Sequence, residues 1–81
     1  MVSFNVMLNS INSVKDFVNT VNRYDFDVDL TSGRYVVDAK SIMGIFSLDL
    51  SKPILLEAHC PEGNPDLCNT FKNDMKAFIN E

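Results

Sequence analysis

The period of the hydrophobic pattern changes from two to nearly four within the first quarter of the chain, and that change restricts the possible folds more than any other feature. Val2, Phe4, Val6 and Leu8 alternate with Ser3, Asn5, Met7 and Asn9, Met7 being the one apolar exception. Successive side chains of a strand point to opposite faces, so this reads as a half-buried strand. A polar stretch follows, interrupted by Ile11. Val14, Phe17, Val18, Val21 and Tyr24 then recur at helical spacing, while Lys15, Asn19, Asn22 and Arg23 fall on the other side. Ser13 with Asp16 three residues later has the form of a capping box, which predicts a helix over 13–24.

The next segment returns to period two. Asp25-Phe26-Asp27-Val28-Asp29-Leu30 alternates strictly, and Ser32-Gly33 signals a turn. Tyr35 to Asp38 is aromatic and β-branched, so a third strand pairs back on the second as a hairpin. Ser41 then opens a short apolar helix that Pro53 bounds. Ile54 to His59 reads as a fourth strand, and Pro61-Glu62-Gly63 as a loop. Asn64 is placed to cap the last helix, with Pro65 at its first position and Asp66 at the positive end of its dipole. Leu67, Phe71, Met75 and Phe78 form its apolar stripe, over 65–79.

The predicted order is β-α-β-β-α-β-α. Four strands with one apolar face need a cover, and two long amphipathic helices supply it, with the middle helix short and set apart. The expected fold is α+β: a two-layer open-faced β-sandwich with a four-stranded antiparallel sheet. The 81 residues contain no linker, repeat or low-complexity tract, so residues 1–81 form one domain.

Charge narrows the function. The formal net charge is -4, without a basic stripe to meet a phosphate backbone or an anionic membrane. Residues 1–10 have no charged leader and no continuous apolar run, so a signal peptide is not expected. A cytoplasmic location follows, with Cys60 and Cys68 reduced and unlinked rather than forming a disulfide framework.

Catalytic and metal chemistry has little support. Asp25, Asp27 and Asp29 fall on one strand face, but about 7 Å apart and with no ligand loop after them; they read as a solvated face. His59, Cys60 and Cys68 are too few for structural zinc, and adjacent His59 and Cys60 point to opposite faces of a strand. Gly33, Gly44 and Gly63 are isolated, so no phosphate-cradling loop exists, and the single His59 has no triad partner. The expectation is a protein that is not an enzyme and uses no metal or cofactor.

Residues 40–48 are the exception to this blandness. Ile42, Met43, Ile45, Phe46 and Leu48 point all round a two-turn helix, and a small two-layer domain cannot surround all of them. Some must face solvent or a partner, beside a serine at the helix cap.

These same residues carry a resemblance. Asp38-Ala39-Lys40-Ser41-Ile42-Met43-Gly44-Ile45-Phe46-Ser47-Leu48 resembles the regulatory-serine segment of HPr, the histidine-containing phosphocarrier of the bacterial sugar phosphotransferase system. The hairpin from Tyr24 to Val37 aligns with that family without a gap, and the element order is the family's. The family's Gly-(Leu/Ile)-His-Ala-Arg-Pro-Ala motif at the start of its first helix is replaced here by Asn9-Ser10-Ile11-Asn12-Ser13-Val14. His59 does not match that motif. The chain is thus similar in kind to the catabolite-repression HPr-like protein, a family member without the carrier histidine. The resemblance implies phosphorylation of Ser41 by HPr kinase, and docking of a catabolite regulator or another phosphotransferase-system protein on Lys40, Ile42, Met43 and Phe46. Two alternatives stay open: a constitutive interaction domain in which Ser41 is only a helix cap, and a phosphocarrier using an unrecognised residue.

Overall fold

The computed structural model describes residues Val2–Ile79. Strands β1 (Val2–Val6), β2 (Val28–Ser32), β3 (Tyr35–Asp38) and β4 (Ile54–Ala58) form one antiparallel sheet in the order β1-β4-β2-β3. Helices α1 (Ile11–Val21), α2 (Ile42–Phe46) and α3 (Pro65–Met75) complete the β-α-β-β-α-β-α order, and a 3₁₀ turn over Lys76–Phe78 ends it. This is the expected α+β open-faced sandwich.

Register follows from the alternation. Phe4 faces Leu56, and Leu56 faces Leu30 on its other side, so one face of the sheet is a continuous apolar row. Val6, Val28, Leu30, Ile54, Leu56 and Ala58 are buried there. Phe17 and Phe71 cover them from α1 and α3, both fully buried. Phe71 packs edge-on against Tyr24 and Phe26, with ring centres 5.1 and 5.2 Å away. The chain end returns to the free edge of β1, where the Met7 amide donates to the Phe78 carbonyl at 2.7 Å.

The hairpin turn needs its glycine. Ser32 pairs with Tyr35, leaving a two-residue loop, and Gly33 holds φ +61° at its first position. That is where hairpin turns of type II′ place glycine, because a side chain would be strained there.

Several boundaries differ from the sequence expectation. Helix α1 starts at Ile11, capped by Ser10, whose hydroxyl accepts from the Ser13 amide at 3.0 Å. Two serines three residues apart offer the same capping chemistry, and the earlier one takes the role. The helix ends at Val21 and β2 begins at Val28, so Tyr24 and Phe26 lie in the connection, yet both are buried. The in-out alternation continues through an irregular backbone there, which mimics a longer strand. At the other end, Asn64 caps α3 as expected, accepting from the Leu67 amide at 3.2 Å, with Pro65 at the first turn.

The cysteine expectation is overturned. Cys60 and Cys68 are joined by a disulfide, with Cα atoms 5.8 Å apart. The turn at residues 61–64 folds the start of α3 back onto the end of β4, bringing the two within the range a disulfide spans. Counting cysteines could not reveal that approach.

Candidate functional site

Helix α2 is only five residues long, too short to be stable by itself, and contacts along its inner side and at its ends hold it. The Ser41 amide donates to the Asp38 carbonyl at 2.9 Å, tying the cap to the end of β3. The exposed Ser41 hydroxyl accepts from the Gly44 amide at 3.2 Å, satisfying one of the free donors of the first turn. At the far end, the Ser47 hydroxyl donates to the Gly44 carbonyl at 2.5 Å. A Cβ on Gly44 would sit 3.3 Å from both Ser41 Oγ and Val37 Cβ, so a small residue lets the helix lie close to β3 with the cap in place.

The apolar side chains of this helix divide as its crowded pattern required. Ile45 is fully buried, Leu48 nearly so, and Ile42 packs half-buried against the core. Met43 is 76% exposed and Phe46 40% exposed. The helix touches α1 as well as β3, so it belongs to the main helical layer rather than sitting apart from it.

Lys40 is more constrained than its charge suggests. Its Nζ donates to the Tyr24 carbonyl at 2.7 Å, and its amide donates to Asp38 Oδ1 at 2.9 Å. The side chain is half-buried, so it ties α2 to the connection after α1. The Tyr24 hydroxyl in turn donates to Asp74 on α3. Burial first, and then the Asp74 carboxylate, pushes the Tyr24 phenol up to about 12. Sequence reasoning missed this path from α3 through Tyr24 to Lys40, because its partners lie 16 and 50 residues apart.

The remaining candidate residues do not converge on α2. Asp25 and Asp27 precede β2, and only Asp29 lies within it. Asp29 Oδ2 sits 3.1 Å from His59 Nε2 on the open face of the sheet. Pairing register sets Asp29 between Glu57 and Asp38, a row of acidic side chains that His59 meets at Asp29. His59 faces solvent and Cys60 is buried, the opposite orientations expected of strand neighbours. Among the described residues, no three His, Cys, Asp or Glu side chains group closely enough to hold a metal ion. No helix among them is long and apolar enough to cross a membrane.

An open cleft of about 450 Å³ adjoins the end of α2. The β2–β3 turn (Gly33, Arg34, Tyr35) forms one wall, and Ser47, Leu48, Asp49 and Lys52 form the other. The Ser51 hydroxyl and amide hold the Asp49 carboxyl below the usual carboxylate range. Lys52 reaches Asp49 only at 3.9 Å with both side chains exposed, so this ion pair adds little stability.

A short capped helix after a β-hairpin, packed beside two longer helices on an open sheet, defines a small α+β class, and comparison identifies which one. Residues 12–60 match the family model of the HPr component phosphorylation site of the phosphotransferase system (PTS). That span includes α2 and most of α1, and the chain belongs to the HPr family. Solved structures share the fold. Phosphocarrier protein HPr from Bacillus anthracis is 22% identical with a TM-score of 0.69, over 98% of this chain and 94% of its own. HPr-C-His from Thermoanaerobacter tengcongensis is 23% identical with a TM-score of 0.67, over 91% and 94%. A histidine-containing phosphocarrier protein from Mycoplasma is 13% identical with a TM-score of 0.71, over 99% and 100%. Comparison with curated proteins gave no significant match.

Proposed function

We propose that this HPr-family protein is a regulatory binding module of the phosphotransferase system, switched by phosphorylation of Ser41 in carbon catabolite control. The observation that carries the reading is the exposed Ser41 hydroxyl at the head of α2, next to exposed Met43 and half-exposed Phe46. A phosphate there adds a charge of about −1.5 to −2 opposite the amides of the first turn, with no need to move the core. It gives the apolar contact area of Ile42, Met43 and Phe46 a switchable charged edge. Lys40 holds the corner in place through Tyr24, so the surface presented to a partner is already ordered.

The protein does not carry phosphate on histidine. The first turn of α1 contains Ile11, Asn12 and Ser13, and the only histidine of the chain is His59. His59 follows β4, whose end pairs with the start of β1, whereas α1 begins beyond the opposite end of β1. On this reading the protein is neither an enzyme nor a histidine phosphocarrier. It works in the cytoplasm as a substrate of HPr kinase and a ligand of a catabolite regulator or another phosphotransferase-system protein, without cofactor, nucleic acid or membrane.

Incubation with HPr kinase and ATP should add one phosphate that maps to Ser41 by mass spectrometry and is lost in Ser41→Ala. Phosphoenolpyruvate with the general upstream enzyme of the system should leave the chain unlabelled. Phosphate on His59 in that second reaction would reinstate a carrier role. A kinase that ignores Ser41 favours a constitutive interaction domain, a reading that the existing bond from Gly44 to the Ser41 hydroxyl also supports.

A further inference from the structure

The connection from β4 to α3 is held differently from the rest of the molecule. Cys60 is only 6% exposed at the end of β4, and Cys68 is half-buried on α3. Residues 61–66 between them are all exposed. None of the hydrogen bonds of this span among the described residues reaches the sheet; apart from the Thr70 hydroxyl, which donates to the Asp66 carbonyl, they stay local to the turn. The Asn64 amide donates to the Pro61 carbonyl, the Leu67 amide to Asn64 Oδ1, and the Cys68 amide to the Asn64 carbonyl at a long 3.4 Å. Leu67 packs half-buried against the core and the first fully buried side chain of α3 is Phe71, so the first turn is anchored only shallowly by apolar contact. The disulfide is the covalent tie between that turn and the end of β4.

We propose that Cys60 and Cys68 form a reversible redox clasp that orders the first turn of α3 when oxidised and releases it when reduced. The difference in exposure sets the direction of attack. A small external thiolate reaches the more accessible Cys68 sulfur, and the Cys60–Cys68 bond breaks. Cys60 leaves with the electron pair and takes up a proton. A second external thiolate attacks the external sulfur of the mixed disulfide and frees Cys68 as a thiolate, which is protonated in turn. One protein disulfide and two small thiols thus become two protein thiols and one small disulfide, and an excess of the small disulfide drives the reverse. Reduction leaves Phe71 and Met75 buried, so α3 stays docked beyond its first turn, and the change is local. The clasp needs no phosphorylation of Ser41 and stands apart from that proposal.

The test uses the whole chain equilibrated in oxidised and reduced glutathione at varied ratios, acid-quenched, alkylated and weighed. The oxidised protein should be lighter by two hydrogens and resist alkylation at both positions. Hydrogen exchange of the two forms should then differ over residues 64–70, with protection in the reduced form lower by on the order of ten-fold or more. Amides of β4 and α1 that exchange through local openings should be unchanged. Cys68→Ser, which leaves buried Cys60 in place, should exchange like the reduced form at every ratio. Free thiols at every ratio would overturn the clasp. So would a bond whose reduction leaves residues 64–70 equally protected, or a Cys68→Ser variant as protected as the oxidised form.

Discussion

Helices α2 and α3 begin with the same device and are kept in place by opposite means. In each, a side-chain oxygen of the capping residue accepts from the amide three residues on, Ser41 from Gly44 and Asn64 from Leu67. Beyond the cap they diverge. Helix α3 has eleven residues, buries Phe71 and Met75, and turns Asp66, Asn69, Lys72 and Asn73 to solvent. Helix α2 has five residues, buries Ile45, and turns Met43 and Phe46 outward. A helix used only to cover a sheet has no reason to face water with apolar groups. On the proposed function, α3 serves as cover and α2 as contact surface. The start of each is secured in its own way: hydrogen bonds to Asp38 and Tyr24 hold α2, and a disulfide holds α3.

The largest expected effect tests the division between cover and contact. Phe71→Ala should cost about 3–5 kcal/mol of unfolding free energy in denaturant titration, because it empties a site ringed by Tyr24, Phe26 and Phe4. Phe46→Ala, already 40% exposed, should cost less than about 1.5 kcal/mol and act mainly on partner affinity. Equal losses from the two would erase the distinction between the helices.

Reduction of the disulfide should come next. Closing a short loop limits the unfolded chain, which predicts a loss of about 2–3 kcal/mol on reduction, read as a lower melting temperature in reductant. Reductant should not change the melting of Cys68→Ser.

The caps compare directly. Ser41→Ala and Asn64→Ala should each cost about 1 kcal/mol by thermal melting. The Asn64→Ala loss should shrink when the protein is reduced, since the turn that the cap secures is then released. Ser41→Ala should be insensitive to reductant. A change in both would mean that the two helix starts are coupled.

The smallest effect is alkaline. The folded-state value of Tyr24, raised to about 12 from about 10, means that the neutral phenol is favoured by folding. Its contribution is fully present below pH 10 and is lost as pH rises through 10 to 12. Tyr24→Phe should flatten that part of the stability profile. An unchanged profile would show that the bond to Asp74 contributes nothing to the tie between α3 and the α2 corner.

Much of this was legible in the residues. The alternation of Val2 to Leu8, the helical spacing of Val14 to Val21, and the caps Ser41 and Asn64 are local signals, readable within one or two turns of chain. The crowding of apolar residues around α2 also implied an exposed fraction, and Met43 and Phe46 supply it. The residue pattern predicts a helix running to Tyr24 and a second strand beginning at Asp25, because burial alternates from Tyr24 to Val28 without ladder pairing before Val28. Periodicity reports which side chains face the core and is blind to the hydrogen bonds of the backbone.

What the residue order determined by itself was the succession of elements and the apolar face of each, since both depend on neighbours a few positions apart. Only the tertiary structure decided which of the five apolar residues near Ser41 stay outside, that Lys40 is tied to the Tyr24 carbonyl, that His59 meets Asp29, and that Cys60 bonds to Cys68. Each of these depends on where separate elements come to rest against one another. A hydrogen bond or disulfide forms only when its atoms lie within a few ångströms, and no local pattern encodes that distance.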